Sequence, residues 1–244
     1  MQPDRIAELL KPFLTPIQNP CHSEPGRRPG EEPAVLSPTQ LHDISTYIDI
    51  LIRWNTRINL TAIRDPEQIV TRHFGESLFA ARHLFPTVYP VPPVASVLKA
   101  FDSANHHATP NVRVADLGSG AGFPGLPIKL WAPHIALTLI ESSHKKAAFL
   151  HEVTRALTLT DVNIQNVRAE TLPPANFDVV TLRAVERFAS SLPIAARLLA
   201  PAGRLALLIS SSQLSITETA LPHFSWRPPI PVPGSRPGVL LLSR

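Results

Sequence analysis

The sequence of 244 residues is poor in cysteine, methionine and aromatic residues, and these shortages exclude several classes of protein. It has one cysteine, Cys21, one methionine and only 6% aromatic residues. A single cysteine excludes an intramolecular disulfide framework and any metal site built from several cysteines. A reducing, cytoplasmic location is therefore the expectation.

Long apolar runs are missing as well. No stretch approaches the roughly 20 apolar residues that a membrane-spanning helix requires, so no membrane association is expected. Charged residues interrupt the first 14 residues, which lack the apolar centre of a signal peptide. Two adjacent histidines, His106 and His107, do not share a helix face, and no metal site is predicted.

What the chain does contain is 44% apolar residues, enough for the core of one α/β domain. The formal net charge is only +4, yet the isoelectric point is about 9.6 and arginine greatly outnumbers lysine. Because the guanidinium group pairs bidentately with phosphate, this bias is compatible with a phosphate-rich partner such as RNA. Solvated surface arginines account for it equally well.

The most informative stretch is Val112–Pro127, which reads VRVADLGSGAGFPGLP. Alternating apolar residues lead to Asp116, a series of glycines follows, and a helix-like segment begins after them. This pattern predicts a buried strand that ends in a glycine-rich turn, the first βα unit of a nucleotide-binding sheet. Glycine allows the tight turn and the close approach of a ligand, and the helix N-terminus is expected to offer its N–H groups to an anionic part of that ligand.

Four segments are predicted around this glycine-rich turn. Residues 1–37 are proline-rich and read as a flexible extension with a short helix at Pro3–Leu10. Residues 38–86 form a helical cap of two helices, since Ser37 and Asp65 are good N-caps, each followed by proline. Residues 87–110 are an insertion or linker, and residues 111–244 are the core, which forms one globular domain with the cap.

Strands and helices then alternate regularly, which predicts a mostly parallel sheet with helices on both faces. The last two strands are expected to form an antiparallel pair that closes the sheet edge. The predicted strands are 135–140, 162–167, 177–182, 204–209, 224–227 and 239–242, and the predicted helices are 143–157 and 188–199.

Two kinds of ligand are compatible with the glycine-rich turn, a dinucleotide and S-adenosylmethionine. Residues 120–125 match the dinucleotide fingerprint G-x-G-x-x-G, which favours NAD or FAD and an oxidoreductase. Asp116 lies close before the glycines, however, where a carboxylate would repel a pyrophosphate but could position the ammonium group of S-adenosylmethionine, directly or through water. Glu141 closes the second strand, where an acid accepts ribose hydroxyls with either ligand.

Several blocks of the chain resemble the RsmG (formerly GidB) family, from about Leu41 to Leu208. They are RWNTRINLTAIRDPEQIVTRHFGESL (53–78), VADLGSGAGFPGLPIKL (114–130), LIESSHKKAAFL (139–150), NVRAETL and FDVVTLRAV (166–185). The resemblance implies a Rossmann-like, class I S-adenosylmethionine-dependent methyltransferase, with a mostly parallel seven-stranded sheet and an N-terminal helical cap. It further implies methylation of N7 of a guanosine, position 527 in the 530 loop of 16S ribosomal RNA.

The resemblance, together with the glycine-rich turn, assigns cofactor-binding residues. They are Asp116, Gly118, Gly120, Gly122, Phe123, Glu141, Ala169, Glu170 and Arg183. Ala169 and Glu170 are expected beside the adenine, with Phe123 packing against its ring. The family usually has phenylalanine at the position of Val185 and often a lysine and a glycine after the fifth strand, where this chain reads LLISSSQL.

Guanine N7 carries a lone pair and no proton, so no catalytic base is required and none is assigned with certainty. Arg183, His73 and Asn59 are candidates for orienting the guanine, and Trp54 is expected to anchor the cap to the sheet.

The candidates for RNA binding are Arg53, Arg57, Arg64, Arg72 and Arg168. The expected partner is 16S rRNA within the small subunit or an assembly intermediate, and the expected state is a monomer. A non-catalytic rRNA-binding relative is the second alternative.

Overall fold

A computed structural model describes residues 1–15, 35–86 and 112–244. Most of the predicted flexible extension, including Cys21, and the predicted insertion at 87–110 lie outside the described residues. Among the helices described, none combines the length and the apolar character needed to cross a membrane.

Seven strands form one sheet, as the sequence predicts. They are β1 (Arg113–Leu117), β2 (Ala136–Ile140), β3 (Val162–Gln165), β4 (Phe177–Arg183), β5 (Leu199–Ser210), β6 (Ile230–Pro231) and β7 (Gly238–Leu242). Their order across the sheet is β3-β2-β1-β4-β5-β7-β6, with β1 to β5 parallel and β7 antiparallel to both of its neighbours. Since β1 lies between β2 and β4, its carboxyl end is at the point where the strand order reverses, where open α/β sheets bind ligands.

The helices are α1 (Pro3–Leu14), α2 (Pro38–Asn55), α3 (Pro66–Gln68), α4 (Glu76–Leu84), α5 (Gly125–Trp131), α6 (His144–Ala156), α7 (Phe188–Leu198) and α8 (Leu214–Ala220). A π-helix at Ile69–Gly75 joins α3 to α4. Both predicted N-caps are confirmed: Ser37 forms a capping box with Gln40, and the Asp65 carboxylate accepts the Gln68 N–H at 2.8 Å. Such a cap stabilises a helix by about 1 kcal/mol.

Apolar side chains cover both faces of the sheet. One core joins the cap, α5 and α6 to residues such as Val114 and Leu139 on the first face. The other joins α7 and α8 to residues such as Leu117 and Val180 on the opposite face. Alternate residues of β1, β2, β4, β5 and β7 therefore enter different cores, which confirms the prediction of helices on both faces.

Helix α1 corrects the prediction of a flexible N-terminal extension. It is longer than the predicted Pro3–Leu10, and Ile6, Leu10 and Phe13 are buried against the cap. Their spacing of four and three residues places them on one helix face. The Phe13 ring lies so close to the π-helix that a Cβ on Gly75 would come within 2.6 Å of it. Residues 3–14 are thus part of the cap.

The C-terminal strands also differ from the prediction. Residues 224–227 form no strand and contribute one bridge, between Trp226 and Ser243, while Ile230–Pro231 is the short strand that pairs with β7. The antiparallel pair at the sheet edge is confirmed, but its first strand lies later in the chain. Proline and turn residues between 222 and 237 give no clear alternation, so local pattern cannot place a two-residue strand there.

Candidate active site

A cleft of about 730 Å³ lies at the carboxyl ends of β1, β2 and β4. Gly118, Gly120 and Phe123 contribute from the turn after β1, and Glu141 contributes from the end of β2. The other predicted site residues in its lining are Arg168, Ala169, Glu170, Arg183 and His73. The structure therefore brings most of the residues predicted from sequence into one cavity.

The turn after β1 is held by its own backbone. The Gly118 N–H donates to the Ile140 carbonyl at 2.9 Å, and the Gly122 N–H donates to the Ser119 carbonyl at 2.6 Å. Gly118, Gly120 and Gly122 all have positive φ, a conformation that costs other residues free energy. The glycines are thus required by the backbone path of the turn, and the first two also leave its inner wall free of side chains.

Asp116 has a different environment from the one that the sequence suggests. Its side chain is fully buried and does not line the cleft. One carboxylate oxygen accepts from Thr181 Oγ1 at 2.9 Å, and the other accepts from the Gly125 N–H at 3.2 Å. The first N–H of α5, which was expected to face an anionic part of the ligand, is therefore used by Asp116. Burial raises the pKa of Asp116 to about 6, against the opposing effect of these hydrogen bonds.

Glu141 joins the glycine-rich turn to the loop before α6. Its carboxylate accepts from the Gly120 N–H at 2.9 Å and from the Ser143 N–H at 2.7 Å. Asn166, at the end of β3, donates to the Glu141 carbonyl at 2.8 Å and fixes the same corner. Each carboxylate oxygen has a second lone pair, so Glu141 can still accept hydrogen bonds from a ligand in the cleft.

The segment after β3 forms a short 3₁₀-helix at Ala169–Thr171, which places Ala169 and Glu170 in the lining of the cleft. Arg197, from α7, donates to three of its carbonyls, those of Ala169, Glu170 and Leu172, at 2.9 to 3.1 Å. The sequence analysis missed Arg197, because nothing in its local pattern shows that the last turn of α7 reaches this segment.

Phe123 also packs differently from the expectation. Its ring stacks on Tyr47 with a centroid distance of 5.3 Å and on His73 at 4.8 Å, and it meets the edge of Phe74. The residue is 5% exposed. The ring expected to pack against adenine is thus surrounded by cap side chains, and its main structural effect is to join the turn to the cap.

Arg183, at the end of β4, connects the sheet to the π-helix. Its guanidinium donates to Glu76 Oε2 at 2.9 and 3.2 Å, to the Arg72 carbonyl at 2.7 Å and to His73 Nδ1 at 3.1 Å. Because an arginine has no acceptor, His73 Nδ1 must be unprotonated, and the ring proton lies on Nε2. That proton is donated to Thr61 Oγ1 at 2.8 Å.

The loop between α2 and α3 forms the wall beside His73. Leu60, Thr61 and Ala62 line the cleft, whereas the predicted Asn59 is exposed outside this lining. Buried Asn55 shapes the loop: its side-chain oxygen accepts the N–H groups of Leu60 and Thr61, and its amide donates to the Thr61 carbonyl. The sequence analysis did not select Asn55, although it stands in the block of residues 53–78 that resembles the family.

The predicted RNA-binding arginines fall into two groups. Arg57, Arg64 and Arg168 are exposed, and Arg168 is at the rim of the cleft. Arg53 and Arg72 are exposed too, but each pairs with a glutamate, Glu152 and Glu76 respectively. The Trp54 indole donates to the same Glu152 at 2.8 Å and meets the Phe149 ring, so this tryptophan anchors the cap to α6.

His73 is held neutral by its surroundings. Burial lowers its pKa to about 3, and the charges of Arg183 and Arg72 act in the same direction. The described residues hold no cluster of three or more His, Cys, Asp or Glu side chains suited to a metal ion.

We expect this histidine to make the protein less stable in mild acid. The folded state keeps the ring neutral while the unfolded chain takes up a proton below its ordinary pKa of 6.5, so stability is lost as the pH falls from about 6.5 towards 3. At pH 5 the loss relative to pH 7 is about 2 kcal/mol. Urea unfolding of the wild type and of His73→Asn at both pH values measures it. The stability difference between them should shrink at pH 5, and a pH-independent difference contradicts the neutral ring.

The sheet order, the antiparallel seventh strand and the position of the cleft together define one class of protein. It is the Rossmann-like fold of class I methyltransferases, which use S-adenosylmethionine, with the glycine-rich cleft at the ends of β1, β2 and β4. Among solved structures, the chain is similar to the ribosomal protein L11 methylase of Lactobacillus delbrueckii subsp. bulgaricus, with a TM-score of 0.49 and 16% identity. That match covers 70% of this chain and 78% of the other.

The particular family is shown by sequence. The model of the rRNA small subunit methyltransferase G family (GidB) matches residues 40–88 and 94–220. The chain is 34% identical to ribosomal RNA small subunit methyltransferase G of Chloroflexus aggregans, over 85% of this chain and 82% of that protein. It is 35% identical to the protein of the same name from a Roseiflexus species, over 85% and 84%. The chain belongs to this family, which confirms the resemblance and gives no support to a dinucleotide-dependent oxidoreductase.

Proposed function

We propose that this protein transfers a methyl group from S-adenosylmethionine to N7 of a guanosine in the 530 loop of 16S rRNA. Family membership supports an rRNA methyltransferase, and the family's relatives are named for the small ribosomal subunit. The cytoplasmic location and the monomeric state stay predictions.

The observation that carries the choice of N7 is the state of His73, the histidine of the cleft. One ring nitrogen accepts from Arg183 and the other donates to Thr61, so the ring has no free lone pair for a substrate proton. A hydroxyl or an exocyclic amine must lose a proton during methylation, whereas guanine N7 attacks with a lone pair and has no proton to lose. His73 is therefore not available as a general base, and guanine N7 is a nucleophile that does not require one.

The cleft also fits the cofactor. Gly118 and Gly120 leave the inner wall of the turn without side chains, and Glu141 presents a largely buried carboxylate whose remaining lone pairs can accept two ribose hydroxyls. Ala169 and Glu170 lie beyond Glu141 on the β3 side, where an adenine attached to that ribose would extend. When bound, S-adenosylmethionine supplies a methyl group activated by its positively charged sulfur.

The residues of the chain then contribute positioning. The cap and the turn after β1 hold the cleft through Phe123 and His73, and Arg183 fixes the end of β4 to the cap. Placing the base in line with the methyl group converts an encounter into an effectively intramolecular step, which lowers a barrier by roughly 7–11 kcal/mol when the geometry is near attack. Reaching the base requires it to be unstacked from its loop.

The test is methylation of rRNA from cells that lack the gene for this protein. Purified protein and labelled S-adenosylmethionine are incubated with naked small-subunit RNA and, separately, with small subunits. Cleavage mapping specific for 7-methylguanosine should reveal one modified guanosine in the 530 loop. Label on another base, or on another atom of guanine, contradicts the proposal. Binding of the RNA without any transfer supports the non-catalytic alternative.

A further inference from the structure

The Arg183 guanidinium has five N–H hydrogens, and the described residues accept four of them. Glu76 accepts one from Nε and one from Nη2, the Arg72 carbonyl accepts the second from Nη2, and His73 accepts one from Nη1. Within the described part of the chain, one Nη1 hydrogen remains. Arg183 lines the cleft and its side chain is 13% exposed, so this hydrogen is the one left for a ligand.

Glu76 opposes the positive charge of this arginine. Its side chain is 9% exposed, and its Oε2 lies 2.9 Å from Arg183 Nη2 while its Oε1 lies 2.9 Å from Arg72 Nε. The pair with Arg183 is shielded from water on both sides, whereas the Arg72 side chain is 50% exposed. Shielded charge-assisted hydrogen bonds of this length are strong. Among the described residues, Glu76 is the carboxylate that contacts Arg183 directly, while the buried Asp116 interacts with it without a hydrogen bond.

The charge of the reacting groups moves during the proposed reaction. The N7 lone pair forms the new N–C bond, the C–S bond breaks, and its electron pair returns to sulfur. The sulfur therefore loses its positive charge and the guanine acquires one. No proton is transferred. A positively charged side chain beside the base opposes this step. A side chain whose positive charge is balanced by a neighbouring carboxylate does not.

Arg183 and Glu141 lie on opposite sides of the glycine-rich turn. Glu141, which suits the ribose, stands at the end of β2, and the glycine-rich turn follows β1. Arg183 stands at the end of β4, on the opposite side of β1 from β2. A cofactor held by Glu141 and extending across the turn would present its methyl group on the β4 side. The acceptor base would then lie near Arg183 and the end of the π-helix.

We propose that Glu76 is a positioning residue that neutralises and orients Arg183, so that this side chain presents one N–H to the guanine without opposing the positive charge of the methylated base. The inference rests on the proposed function. It assigns to Glu76 an effect on the methylated product that a purely structural residue would not have.

The test compares the binding of two small-subunit RNAs that differ only in the N7 methyl group of the target guanosine. Binding is measured with S-adenosylhomocysteine present, for the wild type and for Glu76→Gln, which keeps the shape of the side chain and removes its charge. The variant should lose about tenfold in affinity for the methylated RNA relative to the unmethylated RNA. Its single-turnover transfer rate should fall by about tenfold, while its affinity for S-adenosylmethionine stays within about twofold.

Two further variants serve as controls. Glu67→Gln removes a charge of the same cap that pairs with exposed Arg5 away from the cleft, and it should leave the ratio of affinities unchanged. The double variant Glu76→Gln with Arg183→Gln removes both charges and should return the ratio to the wild-type value. If Glu76→Gln does not fold, Glu76→Asp replaces it, since its shorter side chain withdraws the charge from Arg183 and should shift the ratio in the same direction.

A folded Glu76→Gln variant with the wild-type ratio and transfer rate overturns the inference and leaves the proposed function intact. An equal loss of affinity for the methylated and the unmethylated RNA also overturns the inference and leaves the proposed function intact. A wild-type protein that transfers no methyl group to guanine N7 in either substrate overturns both.

Discussion

Gly122→Ala is expected to destabilise the protein by about 3 kcal/mol and to lower its affinity for S-adenosylmethionine by at least about tenfold. A Cβ at this position would collide with the Tyr47 hydroxyl and would lie 2.6 Å from Leu126 Cδ1 and 3.1 Å from Leu150 Cδ2. The backbone here also has a φ of 84°, which alone costs an alanine roughly 1 kcal/mol. Tyr47 donates to the Ala121 carbonyl, so its displacement would move the turn that lines the cleft.

Urea unfolding and titration calorimetry measure the two effects. Gly120→Ala is the control for stability, because a Cβ there meets only the Gly118 carbonyl oxygen, at 3.8 Å, while its φ of 54° carries a similar backbone penalty. Its loss of stability should stay near 1 kcal/mol. Equal stability losses in the two variants would mean that the crowding around Gly122 is relieved by side-chain movement.

Replacements of Asp116 are expected to separate a role in structure from a role in cofactor binding. Asp116→Asn should keep the affinity for S-adenosylmethionine within about threefold, because the carboxylate does not line the cleft. An asparagine can accept the Gly125 N–H and donate to Thr181 Oγ1, which can itself donate to the Ala115 carbonyl. Asp116→Ala should destabilise the protein by about 2–3 kcal/mol, since it leaves a cavity and two buried donors without their acceptor.

The pH dependence provides a second measurement. The pKa of Asp116 in the folded state, about 6, is above its ordinary value of 3.8. Stability from the buried neutral carboxyl group is thus fully present below pH 3.8 and is lost as the pH rises through 6, by about 3 kcal/mol in all. Asp116→Asn has no such group and should lose less stability than the wild type between pH 4 and pH 7. A loss of cofactor affinity of about tenfold or more in Asp116→Asn would show that the carboxylate reaches the cofactor after all.

The sequence was sufficient for the features that are local or periodic. Ser37 and Asp65 identified the two cap helices through their own side chains, and the glycines after Asp116 identified the turn, because only a few residue types serve at such positions. The alternation of strand and helix gave the parallel sheet. Family resemblance placed Glu141, Ala169, Glu170 and Arg183 at one site, which the cleft confirms as a common location.

Tertiary structure decided which partner each of those side chains has. Asp116 stands beside the glycines in the chain, yet Thr181 of β4 and Gly125 of α5 take both of its oxygens, because strand pairing buries it between them. Arg183 is bound by Glu76, 107 residues earlier, across a contact that no local pattern contains.

The sequence by itself therefore determined the glycine-rich turn and the family to which the protein belongs. It could do so because the backbone conformation of the turn limits the residue types allowed at each of its positions. The packing of α1, the burial of Asp116 and the pairing of Arg183 with Glu76 were decided only by the tertiary structure. Each of these depends on contacts between segments that are far apart in the chain, where many partners of equal polarity or hydrophobicity are available and only their arrangement in space selects one.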